Sequence, residues 1–252
     1  MILFDSFAMI GESGHRGVRS LRDADEFVRR MDHMGIARSL AHHFIAREVD
    51  PLEGNERVLR MCRGSDRLSP CAVLYPSATG EHGEPAEYME RMVSEGVRGF
   101  RFCPAEGRYR FLPFVIGDWC ELLIERGLPA FVDFGVQIHF WDHMPDFEAV
   151  YAVCQAFPEL NVVVGHLGAE ANRMLYATMR ACPNLHCDLS TLGAKFVDDA
   201  AGRFGAERVL FSTQMPIYDP GSSVTMVKYC RLPEADVELV AGGNLSRLLG
   251  EN

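Results

Sequence analysis

The chain has 252 residues, 48% of them hydrophobic, and 25 bases against 35 acids give a formal net charge of −10. A chain of that length and balance can bury a core without disulfide staples, which excludes fibrous and disordered readings. An acidic surface repels phosphates, so nucleic acid is not an expected partner, and no stretch approaches the roughly 18 to 20 apolar residues of a membrane span. Met1-Ile2-Leu3-Phe4 has no basic region ahead of it and Asp5 interrupts the apolar run, so no secretory signal is predicted. Eight cysteines stand singly at 62, 71, 103, 120, 154, 182, 187 and 230, with no Cys-x-x-Cys pair. They read as reduced thiols in a cytoplasmic protein rather than as a zinc ribbon.

In chain order, a strand-like run at 2–7 is followed by an amphipathic helical stretch at 21–34, Gly35, and a second apolar run at 36–42. The same order of helix, glycine and strand recurs at 88–95, Gly96 and 97–102, at 119–126, Gly127 and 128–133, and at 199–204, Gly205 and 208–212. A helix often ends on a left-handed residue, which costs glycine little. Further strand-like runs lie at 70–75, 161–166 and 185–190. Eight βα units of about 31 residues each predict an α/β protein of the (β/α)8 TIM-barrel type, a single domain over 1–252. An open doubly wound sheet is the rival, but Gly11-Glu12-Ser13-Gly14 matches neither phosphate-binding glycine motif. Longer loops are expected at 80–85 and at 137–145, the second carrying His139, Trp141 and His143.

Barrel chemistry is built where strands end. That filter returns Phe7 and Met9, His42 and His43, Tyr75, Arg101 and Cys103, Asp133, His166, Asp188 and Ser190, and Gln214. Alternation puts Val162, Val164 and His166 on one strand face, Phe131 and Asp133 on another, and Leu210, Ser212 and Gln214 on a third.

With these residues in place the chain resembles the amidohydrolase superfamily, in its amidohydrolase-related branch of hydrolases, lactonases and decarboxylases. Phe4-Asp5-Ser6-Phe7-Ala8-Met9-Ile10-Gly11 sits where that family has Asp-x-His-x-His. Val162-Val163-Val164-Gly165-His166-Leu167-Gly168 is the closest local match. Arg208-Val209-Leu210-Phe211-Ser212-Thr213-Gln214-Met215-Pro216 is similar to the eighth-strand motif, and Gly243-Asn244-Leu245-Ser246-Arg247-Leu248-Leu249 to the closing helix. The likeness runs nearly end to end, so the fold it implies is again the barrel.

The departures bear on chemistry. Phe7 and Met9 replace the two first-strand histidines of the resemblance, Asp133 a fifth-strand histidine, and Gln214 the eighth-strand aspartate, while His166 is kept. Phenylalanine binds no metal, a thioether suits zinc or manganese poorly, and glutamine has no proton to exchange. The expectation is therefore a degenerate metal site without cofactor. His166 would act as base, Asp133 would orient its imidazole, and Arg101 and Gln214 would position a substrate. His42, His43, Tyr75, Phe7, Met9 and Trp141 are expected to line the pocket.

Three other readings stay open. Asp133, His166 and one of His42 or His43 could hold one divalent metal such as zinc. His139 and His143 share a helical spacing, though a lid over the mouth fits the aromatics there better. Cys103, and Cys182 with His186 and Cys187, read more simply as buried groups than as nucleophile or ligands. The function expected is a hydrolase that cleaves an ester, lactone or amide bond of a small organic acid by metal-independent acid/base chemistry, with lactonase or decarboxylase-like chemistry beside it. The alternative is a catalytically silent barrel kept as a small-molecule or partner-binding protein. The partners expected are a small-molecule substrate and, at most, further copies of the chain in a homo-oligomer.

Overall fold

The computed structural model describes residues 1–14, 20–135, 145–165, 172–190, 193 and 195–251. Eight parallel strands pair in chain order: β1 (Leu3–Ile10), β2 (Ile36–His43), β3 (Leu68–Leu74), β4 (Gly99–Phe102), β5 (Ala130–Asp133), β6 (Val162–Gly165), β7 (Leu185–Asp188) and β8 (Val209–Leu210). Ser6 N donates to Phe211 O, Gln214 N to Phe7 O and Met9 N to Met215 O, at 2.8–3.0 Å, so the segment after β8 returns to β1 and the sheet curls into a TIM barrel. The expected barrel is the observed one.

Helix ends follow local chemistry. The helix α1 (Ala24–Met34) starts at Asp23, whose carboxylate accepts from Glu26 N, and stops at Gly35 with φ +70°. Two short helices stand between a strand and the longer helix that follows it: α2 (Phe44–Glu48) directly after β2, and, beyond α3 (Pro51–Cys62) and α4 (Pro85–Ser94), α5 (Pro104–Gly107) after β4. The helix expected from 88 begins at Pro85, and the one expected from 119, α6 (Pro113–Glu125), begins at Pro113. In both cases proline occupies the first helical position, where its missing N–H costs nothing. After α6 come α7 (Phe147–Ala156), α8 (Asn172–Ala181), α9 (Phe196–Phe204), α10 (Gly221–Lys228), α11 (Glu234–Glu238) and α12 (Asn244–Leu248).

Strand alternation divides the buried side chains into two layers. Phe100, Phe102, Val132, Val162 and Val164 pack outward against helices, among them Met89, Trp119 and Val150. Phe4, Leu40, Cys71, Phe131, Val163 and Leu210 point into the barrel, where Leu245, Leu248 and Leu249 close its N-terminal end. The interior is thus apolar at one end and opens toward polar side chains at the other. All eight cysteines are unpaired thiols, and among the described residues no helix is long and apolar enough to cross a membrane.

Candidate active site at the barrel mouth

The mouth is organised around a residue that the strand ends did not reveal. Arg47 lies in α2, and its fully buried guanidinium joins two carboxylates from distant parts of the chain. Nη1 donates to Asp133 Oδ2 at 2.5 Å, and Nε and Nη2 donate to Glu106 Oε1 at 2.9 and 2.7 Å. Nη1 is also 3.9 Å from the sulfur of Met9. Burial alone would lower the Arg47 pKa, but the facing carboxylates of Asp133 and Glu106 outweigh it and hold the group charged. The seat of α2 depends on Gly54 of α3, because a Cβ there would lie 2.0 Å from Ala46 N. Two helices can approach that closely only over a missing side chain.

Arg101 projects from β4 into the barrel and is 1% exposed. Its guanidinium lies 4.1 Å from the ring centre of Phe7 and 5.2 Å from that of Phe131, and Nη2 donates to Ser6 O at 2.9 Å. Nε has no hydrogen-bond partner, and no carboxylate among the described residues pairs with the group. Aromatic faces stabilise a cation by about 0.5 to 2 kcal/mol, well short of what a buried charge loses in leaving water.

His42 and His43 face opposite ways, as strand neighbours do. His42 points inward, 5.2 Å from Phe7 in an edge arrangement, and neither ring nitrogen has a hydrogen-bond partner. Burial, reinforced by Arg101 and Arg47, pushes its pKa well below the usual value, so the imidazole is neutral. His43 leaves the mouth: its Nδ1 accepts from Ile45 N at 3.1 Å and its ring covers Gly11, where a Cβ would come within 2.3 Å. Burial pushes it down to about 4.

Phe7 and Met9 pack with Phe44 as a small apolar cluster inside the mouth. Tyr75 sits just past β3 with Ala46, Val73 and Cys103, and burial raises the Cys103 thiol far from nucleophilic range. Its neighbour in the 80–85 loop, His82, is tucked between Tyr88 and Trp119 and accepts from Tyr75 N at 3.0 Å. Gln214 is buried in the left-handed region, φ +57°, in the segment that pairs with β1. Asp133 Oδ1 accepts from Gly135 N at 3.1 Å, so each carboxylate oxygen has a donor. His186 is buried on β7 beside Asn161, away from any ligand set.

His166 and Trp141, with His139 and His143, lie outside the described residues. Val162 and Val164 are turned to the helices, whereas Val163 faces the interior. Phe131 and Asp133 do share the interior face.

The strand-end filter passed over a buried carboxylate as well, Asp5. Asp5 accepts from Phe7 N and Thr213 N through Oδ1, and from the Thr213 hydroxyl through Oδ2, tying β1 to the segment after β8. Burial outweighs these donors and pushes its pKa up to about 7. Its sequence signal was a lone aspartate within an apolar strand.

Comparison with known proteins adds the family. The model of a family described as Amidohydrolase matches residues 24–250. An uncharacterized protein, y4mH, from Sinorhizobium fredii is 23% identical over 114 residues, and the match takes in 38% of this chain and only 36% of that relative's length. Among solved structures, a 5-carboxyvanillate decarboxylase from Novosphingobium aromaticivorans, complexed with manganese and 4-hydroxy-3-methoxy-5-nitrobenzoic acid, superposes with a TM-score of 0.77 at 11% identity, over 99% of this chain and 96% of that one. A probable 2-pyrone-4,6-dicarboxylic acid hydrolase from Acinetobacter baumannii with citric acid bound does so with a TM-score of 0.68 at 12% identity, over 99% and 100%. At these identities the likeness establishes the fold.

Proposed function

Because the chain belongs to the amidohydrolase family, we propose that it is an enzyme acting on a small organic acid at the C-terminal mouth of the barrel. The observation that carries this reading is Arg101, a guanidinium buried among aromatic rings with no carboxylate counter-ion among the described residues and an unused Nε. A protein retains a buried, uncompensated cation at a cost of several kcal/mol, and an incoming carboxylate recovers it. The names of the structural relatives point the same way, since carboxylic acids recur among their substrates and ligands.

In this reading Arg101 anchors the carboxylate by charge-assisted hydrogen bonds. His42, neutral and unpartnered, presents one donor and one acceptor to the bound molecule. Phe7, Met9 and Phe44 form the apolar wall that accepts an aromatic or aliphatic body. Cleavage of an ester, lactone or amide is the leading reaction, with His166 as base and Gln214 orienting the substrate, and loss of the carboxylate is the companion chemistry. Asp133 orients His166 only while sharing its carboxylate with Arg47.

The set of residues does not suit a divalent ion: of Phe7, Met9, Asp133 and Gln214, only Asp133 is a good ligand for zinc or manganese, and its oxygens are engaged. That engagement of Asp133 also favours a second reading, a binder without turnover. His166→Asn separates the two. Assayed on small esters, lactones and aromatic acids, an enzyme loses on the order of 100-fold to 10,000-fold in kcat. No turnover by the unmodified protein, together with unchanged affinity in the variant, would establish the binder.

A further inference from the structure

We propose that the guanidinium of Arg47 takes the place of a divalent ion between Met9 and Asp133, giving the mouth a permanent cation of its own and leaving Arg101 to bind carboxylates without metal. The inference rests on the reading of the site as one for small organic acids.

Four positions at which the family resemblance places ligands carry Phe7, Met9, Asp133 and Gln214. Arg47 Nη1 reaches two of them, at 2.5 Å from Asp133 Oδ2 and 3.9 Å from the sulfur of Met9. The guanidinium therefore spans the gap in which an ion held by those side chains would lie. A third position, Phe7, has the Arg101 guanidinium on its face at 4.1 Å. A divalent ion entering here would meet two fixed positive charges at close range in a medium of low polarity, where like charges repel far more strongly than in water. It would also have to strip Arg47 from its carboxylates.

Arg47 cannot swing aside cheaply. Glu106 holds it through two N–H groups, and α2 is pressed onto α3 across Gly54. Among the described residues, no three of His, Cys, Asp or Glu gather where they could hold an ion. Arg47 and Arg101 divide the work: one is neutralised by carboxylates and fills the space, and the other keeps its charge for a ligand.

The test uses the full chain purified without chelators. Metal content is measured by inductively coupled plasma mass spectrometry, and melting is followed with benzoate and with succinate, each alone, after EDTA, and with manganese chloride. The expected result is substoichiometric zinc and manganese, and a carboxylate-induced rise in Tm that EDTA leaves unchanged. Stoichiometric metal, or a rise that EDTA abolishes and manganese restores, overturns the role of Arg47 while the acid-binding reading stands. No rise under any condition overturns the acid-binding reading, and the metal content still decides the role of Arg47. Arg47→Ser should gain a manganese-dependent rise in Tm, because Asp133 and Glu106 then face vacated space. A folded variant indifferent to manganese counts against the proposal, and if the variant does not fold, the wild-type measurements decide.

Discussion

Arg47 Nη1 and Asp133 Oδ2 meet at 2.5 Å with both side chains at zero exposure, tying the turn after β2 to the end of β5 across 86 residues of sequence. A pair so far from water is worth little as a gain over apolar packing, yet breaking it leaves a charge with nowhere to go.

Arg47→Met should therefore cost about 3 to 5 kcal/mol in chemical denaturation, and Asp133→Leu nearly as much. The double variant Arg47→Met/Asp133→Leu should recover most of the loss, because Glu106 keeps access to water with its side chain 21% exposed. Additive losses in that double-mutant cycle would show that the two residues act independently.

Acid should destabilise the fold before its surface carboxylates titrate. His43 and His82, both held to about 4 chiefly by burial, are neutral when folded but take a proton near 6.5 when unfolded. Their share of stability is present above pH 6.5 and is lost as pH falls toward 4. Asp5 works against this: its folded value near 7 exceeds its unfolded value near 3.8, so its penalty grows as pH rises through that interval. Asp5→Asn should accordingly raise the melting temperature more at pH 8 than at pH 5. Equal shifts at both values would mean that Asp5 titrates normally.

Arg101→Met should leave stability unchanged or higher, since it removes a buried cation without orphaning a carboxylate. It should also weaken binding of small carboxylates by about 1.5 to 3 kcal/mol, roughly 10- to 100-fold in Kd by isothermal titration. A folded variant that melts at a much lower temperature while its affinity for carboxylates is unchanged would make Arg101 a brace of the barrel wall.

Gly54→Ala tests the support beneath Arg47. The added methyl would overlap the Ala46 backbone, so α2 must shift, at a cost of about 1 to 3 kcal/mol by thermal or chemical melting. Gly117→Ala, where the nearest atom to a new Cβ is 3.6 Å away, is the control and should change little. Similar losses at both positions would remove the special role of the α2–α3 contact.

Fold and site were not equally legible. Helical stretches ended by Gly35, Gly96, Gly127 and Gly205, each leading into a short apolar run, determined the order and number of βα units, because period and capping are written in neighbouring residues. The strand-end filter also found Arg101, Asp133 and His42, whose polar character stands out on apolar strands. Arg47 left no such trace, being one of two adjacent charged residues in a five-residue helix. Its burial depends on Glu106 and Asp133, 59 and 86 positions away, and such pairing arises only when the sheet closes. Which of two adjacent histidines faces the mouth was likewise settled by tertiary structure, since alternation says that His42 and His43 diverge but only the curl of the sheet says which way is in. Local periodicity determined the barrel from sequence alone. The pairing of charges inside it belongs to three dimensions, because electrostatic partners are chosen by distance in space rather than along the chain.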